Sequence, residues 1–349
     1  VIVSALLLGY VVFAPRWLVR ALRGAAWTGR APQLATAAWI CLACSLLCAT
    51  VFAGIAPLVP MLFPAPPGAP GASAAGAELL VGLWPDGHPF AIGRAVLLGL
   101  VAAAALVLRI VIGFAVAGYR TRRQSDRHEE IVSVVGRRMD GIEPALVVVE
   151  HSDPAAYCLP GKGSRIIVTS GALRTLSDGQ LHAVLAHERA HLRGRHHLIA
   201  TFAHAVAALV PRSQVLDAIR SELLRLLELL ADDAAARTAD RLDLAEALLT
   251  LASAPHTAPI PARAPGIALA AVGKDAAGYA PAAESAAAQR VRRLLQPRSP
   301  LGAGRTAGAG LAIITMALTP PLLLLGPALV ACCAAYCTSL TALQGLLVH

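Results

Sequence analysis

The chain has 349 residues, of which 56% are apolar and only 15% charged, with a mean hydropathy of +0.63. Soluble domains carry about 25% charged residues, so the composition excludes an ordinary soluble protein, and its apolar content excludes a disordered one. The net charge of +9 clusters beside apolar runs, where membrane topology accounts for it, so no direct nucleic-acid binding is expected.

The first apolar run covers residues 1–14 and meets Pro15-Arg16-Trp17. It reaches about 21 Å against a hydrocarbon core of about 30 Å, and extending it to Val19 nearly closes the gap. A signal peptide is the rival reading, but a basic n-region and a small-residue cleavage site are both missing. The second run is 34–58. Cys41, Cys44 and Cys48 within it read as small apolar side chains at helical spacing, not as a metal site. The third starts near Ala91 and ends between Leu108 and Tyr119; ending it at Leu108 puts Arg109 at the inner interface. A fourth, 307–330, contains Pro320, Pro321 and Pro327, which leaves room for a fifth short pass.

Loop charge orients these runs. Arg16, Arg20, Arg23 and Arg30 follow the first, and Arg120, Arg122, Arg123 and Arg127 follow the third. The segment 60–93 has no Lys or Arg and is rich in Pro, Gly and Ala. The positive-inside rule then puts 60–93 outside the cell and the polar block 120–305 in the cytoplasm. The expected division is 1–119 with three spans, 120–305 as a cytosolic domain, and 306–349 with the last span and a short tail.

The polar block opens with a helical pattern over 127–139. Two β-rich runs follow, 145–150 and 165–169, with turns at Asp153-Pro154 and 160–163. Ser177 is an N-cap for a helix reaching Arg193, where Gly194 offers a stop. Helices are predicted over 213–239, 242–252 and 286–295, with a Pro-, Ala- and Gly-rich loop over 254–285.

One motif carries chemistry. His187-Glu188-Arg189-Ala190-His191 is an HExxH sequence, and random placement of 11 His and 10 Glu gives about 0.01 such matches. Residues i and i+4 share a helix face, so two imidazoles can bind one Zn²⁺, with Glu188 beside them able to take a proton from the attacking water. Leu181, Val184, Leu185 and Leu192 give the same helix a buried side. A catalytic zinc needs a third protein ligand. Glu228 lies mid-way along a strongly apolar helix, where an acidic group needs a partner. Its bland alternative is a solvated position paired with Arg225, and Glu222 is the rival ligand. Asp232, one turn beyond Glu228, can accept a hydrogen bond from the outer nitrogen of a ligand histidine. His196, His197, His204, Arg189 and Arg237 read as surface or structural residues, and none is assigned to stabilise the tetrahedral intermediate.

HExxH followed by E-x-x-x-D on a later helix resembles the gluzincin-type membrane metallopeptidases. Residues 156–161 and 165–171 look like the strand and turn before the zinc helix in the HtpX and CAAX prenyl endopeptidase families. Three runs before the catalytic block and one after it look like the BlaR/MecR-type antirepressor peptidases. The resemblance implies an α-helical membrane protein of about four spans whose cytosolic, mainly α, α+β zincin-like domain carries a small sheet. It implies Zn²⁺ held by His187, His191 and Glu228, Glu188 as general base and Asp232 as support.

The run Arg165, Ile166, Ile167, Val168 and Thr169 is expected to be an edge strand that binds an extended protein or peptide substrate; an interior strand is the alternative. A transcriptional repressor is one candidate substrate. HtpX-like quality control of membrane proteins and a non-catalytic scaffold are the alternatives. BlaR/MecR receptors carry a penicillin-binding sensor after the last span; the short tail here does not, so direct β-lactam sensing is not expected.

Overall fold

The computed structural model describes residues 2–56, 89–139, 144–161, 163–254, 286–296 and 299–346. The expected loops at 60–93 and 254–285 therefore lie outside the described residues, except that a helix already begins at Pro89. The described residues fall into two units. One lies within Val1–Ala25, Ala37–Ile112 and Ala303–His349, the other within Ala26–Thr36 and Gly113–Gly302.

The first unit is built from α1 (Ile2–Gly24), α2 (Pro32–Ile55), the first half of α3 (Pro89–Val135) and the last helix, α10 (Ala303–Leu346). Among the described residues, four helices are long and apolar enough to cross a membrane: Val3–Gly24, Pro32–Ile55, Leu97–Val135 and Ala303–Gly326. α1 continues through Pro15 to Gly24, so the first span is not the short 1–14 run; its 22 apolar-window residues reach about 33 Å. Small residues set the packing. Ala49, Ala53 and Ala56 are buried with Leu7 and Leu324, and a Cβ on Gly54 would stand 2.8 Å from that of Ala103. Close backbone approach of this kind replaces the hydrophobic drive that hydrocarbon cannot supply. Tyr10 Oη and Ser45 Oγ lie 3.0 Å apart, and the Cys41 thiol donates to the Ile313 carbonyl at 3.4 Å. Leu97, Leu98 and Val101 on α3 are more than half exposed, as a lipid-facing surface requires.

α3 corrects one expectation. The helix continues past the end of the third apolar run, and 127–139 is not a separate helix: one helix runs to Val135, and Gly136–Met139 is a strand, β1. Between Tyr119 and Val135 nothing breaks a helix. The change comes at Gly136, where any side chain would collide with Val147 and with the Val132 carbonyl. The C-terminal stretch is one helix, Ala303–Leu346, whose part Ala303–Gly326 is apolar enough to cross a membrane.

The second unit joins a mixed sheet to a helical layer. The strands β1, β2 (Ala145–Val149), β3 (Ala156–Leu159) and β4 (Arg165–Thr169) stand in the order β1-β2-β4-β3. β1 is antiparallel to β2, β2 parallel to β4, and β3 antiparallel to β4. Alternation sorts the two faces. Leu146, Ala156, Cys158, Ile166 and Val168 enter the helical core, whereas Val147, Tyr157, Leu159 and Ile167 pack with Val132 of α3. On that side His128 Nε2 and Tyr157 Oη lie 2.9 Å apart.

This order overturns the edge-strand expectation for Arg165, Ile166, Ile167, Val168 and Thr169. β4 is paired on both sides, so its backbone groups are already committed. Ile166, Ile167 and Val168 are core. Arg165 pairs with Glu129 at 2.9 Å. Thr169 caps the next helix, accepting from the amides of Ala155 and Ala172 at 2.9 and 3.1 Å. Among the described residues the edges are β1 and β3.

α4 (Ser170–Thr175) leads into α5 (Asp178–Arg193), followed by α6 (His196–Leu209), α7 (Gln214–Ala235), α8 (Arg241–Ser253) and α9 (Ala286–Leu295). α7 buries Ile219, Leu223, Leu226, Leu227, Ala231 and Ala235 on one face. With each apolar side chain contributing about 1.5–3 kcal/mol, that face fixes the rotation of α7 and so the direction in which Glu228 and Asp232 point.

Candidate metal centre

α5 is set by its N-terminus. Ser177 accepts from the Gln180 amide, and the Gln180 side chain accepts from the Ser177 amide, so two otherwise orphaned donors are satisfied. From that start, the buried side of the helix holds Ala183, Val184, His187, Glu188 and His191. The histidines are 0% and 2% exposed. Glu228, brought over by α7, is 21% exposed; it is the member of the group that solvent reaches.

These three side chains form a triangle. His187 Nε2 and His191 Nε2 are 3.1 Å apart. Glu228 Oε2 is 3.6 Å from His187 Nε2, and Glu228 Oε1 is 3.6 Å from His191 Nε2. One donor from each lies within 4.8 Å of the others. A tetrahedral zinc with bonds of about 2.0–2.1 Å requires ligand atoms about 3.3–3.4 Å apart. Each Glu228 oxygen comes close to that spacing from one histidine, and one donor from each residue lies within 4.8 Å of the others; two neutral nitrogens with one carboxylate are a donor set suited to zinc. The residues present therefore fit the metal.

Each histidine is held from behind. His187 Nδ1 stands 3.0 Å from Asp232 Oδ1. His191 Nδ1 stands 2.9 Å from His196 Nδ1, so one of those nitrogens donates to the other. His196 was read from sequence as a surface or structural residue; it is 6% exposed and faces His191. Its place depends on the bend after α5. Arg195 takes a left-handed conformation (φ 48°), and a Cβ on Gly194 would stand 2.5 Å from the His196 ring. Gly194 thus serves as room for that ring, beyond ending the helix.

Arg290 was missed in the sequence. It lies on α9, 4% exposed. Its Nε donates to Asp232 Oδ2 at 2.8 Å and its Nη2 to Asp232 Oδ1 at 2.6 Å. Its Nη1 lies 2.9 Å from Glu228 Oε2. The one available signal was that α9 is strongly amphipathic yet carries Arg290 on the face that buries Ala287, Val291 and Leu294. Arg225, the alternative partner of Glu228, instead binds Glu222 at 2.8 Å, which takes the rival ligand out of the group. His182 faces the Thr238 carbonyl at 3.4 Å.

Charge and burial set the proton affinities of the metal-free site. Burial alone lowers the His187 pKa, but the Asp232 and Glu228 carboxylates outweigh it and raise it to about 9. Burial lowers His191 to about 3 and His196 to about 4. Burial raises the Glu188 carboxyl to about 7. Burial would also raise Glu228, but Arg290 and the histidines hold it well below the usual carboxylate range. Glu188 is 1% exposed and interacts with the Cys158 thiol and backbone on β3. Its Oε2 has no hydrogen-bond partner among the described residues, which leaves that oxygen free for a water.

A four-span membrane protein with a small mixed sheet, an HExxH helix and a carboxylate from a later helix defines the class of membrane-anchored metallopeptidases. The chain belongs to peptidase family M48, whose profile matches residues 120–296, just over half of its length. Relatives named protease HtpX homolog are similar to it over shorter stretches. That of Aeropyrum pernix is 42% identical over 82 residues, 22% of this chain and 26% of the relative. That of Aquifex aeolicus is 34% identical over 84 residues, 23% of this chain and 28% of the relative. That of Methanopyrus kandleri is 34% identical over 90 residues, 24% and 28%. The chain thus spans about a quarter of the length of these curated relatives. No solved structure matches it.

Proposed function

We propose that the protein is a membrane-anchored zinc endopeptidase that hydrolyses peptide bonds of a protein substrate at the cytoplasmic face. The observation that carries this reading is the His187–His191–Glu228 cluster, one donor atom from each within 4.8 Å of the others, beside a buried Glu188 oxygen without a partner among the described residues. When bound, zinc supplies Lewis-acid activation of the scissile carbonyl and of water. His187, His191 and Glu228 hold the metal. Glu188 takes the proton of the attacking water at Oε2 and delivers it to the leaving amine. Asp232 and His196 orient the two imidazoles. β3, the sheet edge that carries Cys158 to Glu188, supplies the backbone along which an extended substrate adds; this replaces the role expected of β4.

The cytoplasmic orientation rests on the arginines that follow the first and third spans. On substrate, the similarity to proteins named protease HtpX homolog favours an HtpX-like enzyme acting on membrane proteins. The order of three spans before the domain and one after it favours a BlaR/MecR-like enzyme acting on a repressor. Zinc content per chain in detergent-purified wild type and in Glu228→Ala tests the common core. About one zinc in the wild type and a large loss in the variant are expected; a wild type that takes up no zinc overturns the reading and leaves the non-catalytic scaffold.

A further inference from the structure

We propose that Arg290 is a positioning residue that makes Glu228 a one-oxygen ligand and so keeps a coordination position open at the metal; the inference rests on the zinc reading above. Two guanidinium nitrogens of Arg290, Nε and Nη2, donate to Asp232, and the third, Nη1, stands 2.9 Å from Glu228 Oε2 as an ion pair. Both carboxylate oxygens of Glu228 stand at the same 3.6 Å from a histidine Nε2. The triangle alone therefore permits Glu228 to chelate with two oxygens. Two-oxygen chelation would fill the place that water or the scissile carbonyl must take.

The ion pair between Nη1 and Oε2 works against that option. Charge attraction holds the oxygen on the His187 side toward Arg290 and leaves Oε1, on the His191 side, to face the metal. The fork geometry matters. Nε and Nη2 lock the guanidinium plane onto Asp232, and this keeps Nη1 2.9 Å from Oε2. A lysine ammonium is a point charge on a flexible stem and cannot hold both carboxylates in fixed register. One residue of α9 thus ties together the support of His187 and the binding mode of Glu228. Asp233, next in the chain, is gripped separately by Arg293 at 2.6 and 2.7 Å, so α9 stays docked on α7 through a second pair when Arg290 is changed.

The experiment uses the full-length protein in detergent, loaded with Co²⁺ as a spectroscopic probe. Visible absorption reads the coordination number, and competition with a chelator reads metal affinity. The variants are Arg290→Lys and Arg290→Met, with Arg293→Lys as a control on the same helix. The wild type is expected to give the intense bands of a four-coordinate site. Arg290→Lys and Arg290→Met are expected to shift to the weaker bands of a five-coordinate site and to lose metal affinity by tenfold or more, while Arg293→Lys keeps the wild-type spectrum.

A wild type that is already five-coordinate through two Glu228 oxygens overturns the inference. So does an Arg290→Lys protein with unchanged spectrum and affinity. Should Arg290→Met fail to fold, the wild-type spectrum and the lysine variant still decide. A wild type that binds no metal overturns the zinc reading itself, an outcome distinct from metal binding that is indifferent to Arg290.

Discussion

His187 Nδ1 lies 3.0 Å from Asp232 Oδ1, while the Nε2 of the same ring faces His191 and Glu228. Asp232 thus faces the imidazole on the side away from the metal-ligand cluster, and that carboxylate is itself clamped by Arg290. Asp232→Asn keeps the shape and removes the charge. It is expected to weaken zinc binding by about 10–100-fold, measured by chelator competition. An affinity equal to the wild type would show that Asp232 has no part in orienting the ring.

Glu188→Gln separates metal binding from turnover. The glutamine cannot take a proton, but it is not one of the three triangle donors. Peptidase activity against an unfolded protein substrate is expected to fall by about 10²–10⁴-fold with zinc content unchanged. Retention of full activity would sink the general-base assignment.

The metal-free protein is expected to lose stability as pH rises from 6.5 to about 9. His187 is raised from 6.5 to about 9. Its contribution is complete below pH 6.5, where both states are protonated, and is lost as pH climbs to 9. Glu188, raised from 4.5 to about 7, acts in the same direction between those values, but His191 and His196, lowered from 6.5 to about 3 and about 4, act oppositely below pH 6.5. Glu228 and Asp232 are lowered, so their stabilisation is lost only as pH falls below about 4.5. Melting of the chelator-treated protein across pH 6.5–9 checks the sign. Zinc must displace the His187 proton, so its binding near pH 7.5 is expected to release protons, seen in calorimetry with buffers of different ionisation enthalpy.

Gly194→Ala addresses His196 without touching it. The added methyl meets the His196 ring at 2.5 Å, so the ring must leave its place 2.9 Å from His191 Nδ1. Metal affinity is expected to fall about tenfold, and His196→Ala to do the same. A normal affinity in both variants, by the same chelator assay, would remove His196 from the support of the site.

Much of the site was legible because it is local. HExxH places two imidazoles one turn apart on α5, and Glu228 and Asp232 are one turn apart on α7, so helical period alone pairs them. The anomaly of an acid within Leu226-Leu227-Glu228-Leu229-Leu230 marked the helix to search. The strands were less legible. β1 is four residues, Gly-Arg-Arg-Met, with no alternation to set it apart from the helix before it. β3 is short and buried along its whole length, so it shows no period either.

The sequence by itself determined the spans, the motif helix and the four side chains on α5 and α7 that share its geometry, because each follows from a run of apolar residues or a period of 3.6. Only the tertiary structure decided that Arg290, 58 residues beyond Asp232, closes the site, that His196 turns back beneath His191, and that β4 lies inside the sheet with β3 at its edge. Those are contacts between elements. A chain's periodicity says which face of a helix or strand is buried, but not which partner buries it.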